Sequence, residues 1–380
     1  MRTTFIATLC GAALFAGTAP RAHAQSGLTT LWSFTGGVDG SSPAGGLVTN
    51  GSGQLFGDTD SGADGYGTVY DFDISGNSLN TVYTFTGRKD GGQPQPKLTL
   101  GSNGTIYGAT RYGGTANSGV VFAVDPSTET STTLYSFQNL TDGGDPIGGL
   151  LLTTGGNLIG VAASGGQRNF GDVFEVNPSA LTETVLYSFD GGGDGKDPNI
   201  LSAYKKGVYG TNSEGGGAND AGTIYYLVPN TGRERTVYRF TGGNDGSLPN
   251  GSLLLDPSGV FYGTTLRGGA GDAGTIFKFD PKTSQLTTVY AFTGGADGSH
   301  PLGGLAEDAA GNLYGTTKNG QGQTNTGSLF SFNVSSGTFT TLVNFTGQPN
   351  GNLLLTNNTI YGTTLSGGQY GFGTVYSYTP

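Results

Sequence analysis

The sequence is poor in the residues that most catalytic and metal-binding chemistry needs. It has one cysteine, Cys10, and two histidines, His23 and His300. One thiol makes no disulfide framework, and no His/Cys cluster stands ready for zinc. There is no Ser-His-Asp pattern, no phosphate-cradling P-loop and no dinucleotide fingerprint. Charge is scarce, at 12 % of residues, and skewed, with 17 Lys and Arg against 27 Asp and Glu. That shortage of cations tells against a phosphate backbone, so no nucleic-acid partner is expected. Long apolar runs are missing as well. The one extended run, Phe5 to Ala16, is too short to span a bilayer, so no membrane span is expected.

That run has the setting of a secretory signal. Arg2 supplies the positive end, and Ala22-His23-Ala24 is an A-x-A cleavage site. Residues 1–24 are therefore read as a signal peptide and 25–380 as one mature domain. There is no twin-Arg pair, and Ala7-Thr8-Leu9 ahead of Cys10 does not resemble a lipoprotein site. Cys10 leaves with the signal. Loss of Arg2 and Arg21 leaves 15 basic against 27 acidic side chains, a net charge of about −12. The expected location is secreted or periplasmic, with no anchor after the last repeat.

What is abundant is glycine, 73 residues, together with 21 Phe and 19 Tyr. Glycine with little charge suits disorder, but disordered chains lack aromatics, and here they recur at fixed intervals. A signature Phe appears at Phe34, Phe85, Phe137, Phe189, Phe240, Phe292 and Phe345, every 51 to 53 residues. Such a period marks a repeat architecture. From Thr287 one unit reads TTVYAF (strand), TGGADGSHP (loop), GGLAED (strand), AAGN (turn), LYGTT (strand), KNGQGQTNTG (loop) and SLFSFNV (strand). Four short strands in about 50 residues make a propeller blade. The chain opens with a lone outer-type strand, Thr29 to Phe34, and closes on three strands, GNLLLT, TIYGTT and GTVYSY. One plus three completes a blade. The expected fold is all-β: a seven-bladed β-propeller with four antiparallel strands per blade, closed by the N-terminal strand, which leaves no open edge. Tyr107, Tyr209, Tyr262, Tyr314 and Tyr361 on the third unit strand, and Phe122, Phe174, Phe277 and Phe330 on the fourth, are expected in the core. The Gly after each such Tyr is expected to let adjacent sheets approach.

The segments LYSFDGGGDG, GGLAEDAAGNLYGTT, FYGTTLRGGAGDAGTIFKFDP and YGTTLSGGQYGFGTVYSY resemble the Gloeo/Verruco tandem repeat of the choice-of-anchor tandem repeat GloVer-containing family. The resemblance covers essentially the whole mature chain. It implies an exported bacterial propeller-like protein, often held by a C-terminal anchor that this chain lacks, and it implies no particular activity or catalytic residue.

Strand alternation puts the TGGxDGxxP loops and the loops after YGTT on one face, with short turns on the other. Ligands favour variable loops, so the long-loop face is the expected working face. An Asp recurs there at Asp39, Asp90, Asp142, Asp194, Asp245 and Asp297 and is missing from the seventh loop. Six carboxylates could meet Ca²⁺ or hydroxyl-rich ligands, but an Asp-Gly turn device is the simpler reading. Departures from the repeat are better candidates. Asp58, Asp60 and Asp64 in blade one could hold Ca²⁺ or serve as an acid/base pair, or be a solvated acidic loop. Tyr66, Phe170 and Phe372 stand where other blades have Ser118, Ala221, Ala273 and Thr326. With Tyr112, Tyr370, Arg111 and Arg168, and with Arg88 and Lys89 nearby, they could form a sugar site, or merely cover neighbouring loops. His300 is read as a surface residue. No cofactor is required beyond the optional Ca²⁺, and the protein is expected to be a monomer. The leading reading is a non-catalytic binding or structural propeller engaging a glycan or cell-surface polymer. The alternatives are a polysaccharide-active enzyme and a protein-interaction scaffold.

Overall fold

The computed structural model describes residues 27–380 apart from 44, 63 and 325; residues 1–24, expected from the sequence to be a signal peptide, lie outside the described residues. Seven antiparallel sheets follow one another around a ring. Blade five shows the pattern. Its inner strand is Ser247–Leu255, followed by Phe261–Arg267, Thr275–Asp280 and the outer strand Gln285–Ala291, in that spatial order. Blade seven takes Pro349–Thr356, Thr359–Thr364 and Thr374–Tyr378 from the end of the chain and its outer strand, Leu28–Ser33, from the beginning. Leu28 pairs with Tyr378 and Ser33 with Thr374, as the one-plus-three arithmetic requires. The only helical turn among the described residues is the 3₁₀ turn Pro229–Thr231. None of their helices could cross a membrane.

The inner strands depart from a plain ladder. In blades three, five, six and seven the register slips within the strand, as between Asn250 and Leu254. Blades two and four split the strand in two, Gly92–Pro94 with Thr99–Leu100 and Lys196–Pro198 with Ser202–Tyr204. The sequence reading began this strand at GGLAED; pairing in fact starts earlier, at Ser299, and passes through a bulge at Gly303-Gly304. Bulges of this kind bend a strand where it crowds an axis.

The core is a ring of seven layers, each between neighbouring blades. Phe56, Val69, Val82 and Phe85 of blade one pack with Leu98, Ile106 and Phe122 of blade two. Phe34, Leu47, Leu55, Tyr70 and Val375 close the seam between blades seven and one. All seven signature Phe are buried. Several meet the aromatic of the third strand edge to face, as Phe85 meets Phe122 with centroids 5.0 Å apart. Each such ring contributes roughly 1.5–3 kcal/mol through burial. The glycine after the repeated Tyr has a different role from the one expected. A Cβ on Gly263, which follows Tyr262, would overlap the Phe277 ring on the paired strand of the same sheet. Its space admits a ring from within the blade rather than a neighbouring blade.

Candidate functional site

The recurrent aspartates come first, because they surround the long-loop face. Each accepts a hydrogen bond from an aromatic side chain seven residues earlier on the preceding outer strand. Tyr83 donates to Asp90 at 3.0 Å, Tyr135 to Asp142 at 2.9 Å, and Tyr187, Tyr238 and Tyr290 to Asp194, Asp245 and Asp297 at 3.0 Å. Trp32 Nε1 donates to Asp39 at 3.3 Å. The same carboxylates accept a backbone N–H from within the loop, such as Thr86 N to Asp90 and Thr293 N to Asp297. The following glycine is left-handed, with φ 96° at Gly246 and 81° at Gly298. The six aspartates are struts that fix the interblade loops, with their lone pairs turned inward.

The three blade-one carboxylates do not converge. Asp58 is buried on the second strand, and neither oxygen has a hydrogen-bond partner. Burial, then Asp60, pushes its pKa well above the usual carboxylate range. Asp60 sits at the end of that strand, partly exposed, and burial lifts it to about 6 against the pull of Arg111. Asp64 is exposed on the loop beyond. Among the described residues no three His, Cys, Asp or Glu side chains come together as a metal-holding group.

The aromatic departures are brought to one sector. Among the described residues the exposed aromatics are Tyr66, Tyr112, Tyr370 and Phe372, all on the long-loop face of blades seven, one and two. Tyr66 lies over Gly87, Phe170 over Gly191 and Phe372 over Gly36, so that a Cβ on any of these glycines would run into the ring. In the sequence these rings had two readings, loop cover and platform. The geometry combines the two for Tyr66 and Phe372: one face rests on the next interblade loop while the residue stays 45 % and 44 % exposed. Phe170, in blade three, is more deeply set. Tyr66 also approaches Gly92, which pairs with Tyr112, so both tyrosines stand at the upper edge of the blade-two sheet. Tyr370 edges a shallow cavity of about 280 Å³ with Trp32 and Gln369.

Polar groups run beside these rings. Arg111 stacks near the Tyr112 ring, 5.4 Å from its centroid, and pairs with Asp145 of blade three at 2.9 Å. The sequence reading missed Asp145. The Asp190 carboxyl is held below its usual pKa by its hydrogen bond with Asp194 first, then by the Gly192 N–H, with Arg168 adding the smallest pull. His300 sits on the inner strand of blade six, its Nδ1 2.9 Å from Ser299 Oγ and 3.2 Å from the Asn319 amide. Its pKa is lowered by burial, then by Arg267 and Lys318. At the axis a cavity of about 220 Å³ is lined by inner-strand residues including Gln95, Ile147, Asn199, Asn250 and Leu302.

These features define a closed propeller with a decorated loop face. The chain belongs to the Gloeobacter/Verrucomicrobia repeat family, which it matches over residues 6–220 and 201–376. No curated protein matches it. Among solved structures it is similar to an oligogalacturonate lyase in complex with manganese, at 13 % identity and TM-score 0.64, covering 94 % of each chain. It is also similar to an oligogalacturonate lyase from Vibrio parahaemolyticus, at 10 % identity and TM-score 0.60, covering 93 % of each chain. Likeness at this identity reflects the shared propeller fold.

Proposed function

We propose that this protein is an exported, non-catalytic binding propeller that recognises glycans on its long-loop face, in the sector from blade seven to blade three. The observation that carries the reading is the placement of Tyr66, Tyr112, Tyr370 and Phe372, the exposed aromatics of the described chain, in that one sector. A ring held on a glycine loses little freedom when a sugar stacks on its open face. Arg111, Asp145 and Asp60 lie alongside for hydroxyl groups. The solved relatives are named for an oligosaccharide substrate, which agrees with this ligand class and carries no residue role across. The signal segment supports a secreted or periplasmic location, and cell fractionation tests it.

A glycan array followed by calorimetry tests the platform. Tyr66→Ala and Phe372→Ala should each weaken the ligand found by about tenfold, about 1.4 kcal/mol. Unchanged affinity in both variants removes the platform.

One observation favours a second reading, a polysaccharide-active enzyme. Asp60, at about 6, lies in the range of a general acid working near neutral pH. Its neighbour Asp58 is too buried to touch a substrate as it stands. Product analysis on a polysaccharide panel decides: cleavage lost in Asp60→Asn supports the enzyme, and no cleavage by the wild type ends it.

A further inference from the structure

The four ion pairs among the described residues, Arg111–Asp145, Lys196–Glu214, Lys196–Asp220 and Arg267–Asp272, all lie on the long-loop face. The short-turn face is arranged differently. Its cations are gathered in blades four and five, at Lys205, Lys206, Arg233, Arg235, Lys278 and Lys282. The short turns of blades one, two and six carry acids instead, among them Asp73, Asp125, Glu129 and Asp308. A chain of net charge −10 thus concentrates unpaired positive charge on one edge of one face.

Blade four is built to present it. Its inner hairpin turns on two residues, Lys205 and Lys206, between Tyr204 and Gly207. Both lysines are exposed, and Lys205 Nζ is held 4.8 Å from the centre of the Tyr204 ring. They edge a cavity of about 470 Å³ shared with blade three, lined also by Thr153, Asn157, Asn230 and one carboxylate, Glu175. Arg233 and Arg235 are exposed on the outer strand of the same blade. The acid between them, Glu234, is partly buried and accepts a hydrogen bond from Thr236. In blade five, Asp256 and Asp280 are engaged by their own turns, through Ser258, Val260 and Lys282 N.

We infer that the short-turn edge of blade four is a second binding site, independent of the long-loop face, for an anionic polysaccharide bearing carboxylate or sulfate groups. The cations are strung across the blade from inner hairpin to outer strand rather than converging on one point, which suits a chain of spaced charges better than a single anion. The hydroxyls and amides of the cavity suit saccharide hydroxyl groups.

The test is binding of the intact mature protein to sodium polygalacturonate, with neutral dextran, duplex DNA and phosphatidylglycerol vesicles alongside. The wild type should bind the polyanionic sugar, with affinity falling as salt rises. Lys205→Gln/Lys206→Gln should weaken it by about tenfold or more and flatten the salt dependence, with an unchanged melting temperature. Arg233→Gln, outside the turn, should weaken it less but measurably. Tyr66→Ala should leave it unaltered, which separates this site from the long-loop platform. Absence of binding at low salt, insensitivity to both lysine and arginine changes, or loss in Tyr66→Ala would overturn the inference. Equal affinity for DNA or vesicles would overturn the polysaccharide assignment.

Discussion

Two kinds of carboxylate occur in the ring, one repeated in the interblade loops of six blades and one buried at irregular positions, and the protein treats them oppositely. The interblade-loop aspartates take a phenol or indole, a backbone N–H and often a threonine hydroxyl each, as Asp297 does from Tyr290 and Thr293. Where the seventh loop lacks the aspartate, the outer strand before it has Val343 in place of the tyrosine. Strut and partner are lost together. In the layer beneath, five blades pair side chains of the second and third strands, such as Thr59 with Thr68 and Thr265 with Thr275, each at 2.8 Å. Blade three has Ala162 and Asp172 at these positions. Asp172 is fully buried, and neither oxygen has a hydrogen-bond partner. The difference teaches that a repeated carboxylate here is scaffold, whereas an irregular buried one is a cost to the fold.

The largest effect should come from breaking that contrast at Asp172. Burial first, then Glu183 and Asp142, raise its pKa to about 8, and burial and Asp142 raise Glu183 to about 7. Tyr135 is the other titratable group in contact with the cluster, and no cation faces it among the groups that shift these values. An acid whose pKa is higher folded than unfolded binds its proton more tightly when folded. Its favourable contribution is complete below the unfolded pKa near 4 and is lost as pH rises towards 8. Denaturant unfolding of Asp172→Asn between pH 5 and pH 8.5 should show a flatter stability profile and a gain of a few kcal/mol at the alkaline end. An unchanged profile would mean that Asp172 is not the bare acid described.

The next effect has the opposite sign. Asp297→Ala removes three hydrogen bonds to one buried carboxylate and should cost about 2–3 kcal/mol by urea denaturation. A neutral result would make the strut decorative and reopen the repeated aspartates as ligand groups. Smaller still, Tyr83→Phe deletes one partner of Asp90 and should cost about 1 kcal/mol. Val343→Tyr, which faces a loop with no carboxylate, should gain nothing.

The sequence made the ring legible because a period of about 52 residues needs only a pattern of Phe and Gly, and the seam needs only counting strands. The inner-strand bulges were hidden. Gly-Gly in a run of leucines reads as a strand start, and only crowding at the axis shows that pairing continues through it. The aspartate struts could have been found, since a constant seven-residue gap from Trp32 to Asp39 through Tyr290 to Asp297 was in plain view. Asp145 and Asp172 could not, because their meaning depends on Arg111 in another blade and on Ala162 across a strand pair. The aromatic sector was found because Tyr66 and Phe372 break the repeat; that each rests on a glycine of the following loop follows only from geometry.

The seam has a kinetic consequence. Leu28 and Tyr378 are some 350 residues apart in the chain, so the seam is the strand ladder with the highest contact order in the ring. Until it zips, the Thr374–Tyr378 strand is an open edge, and the Leu28–Ser33 segment of another nascent molecule can occupy it as well as its own. Dilution should therefore favour the closed monomer during refolding and crowding the exchanged dimer, making the yield of correctly closed rings a matter of concentration as much as of stability.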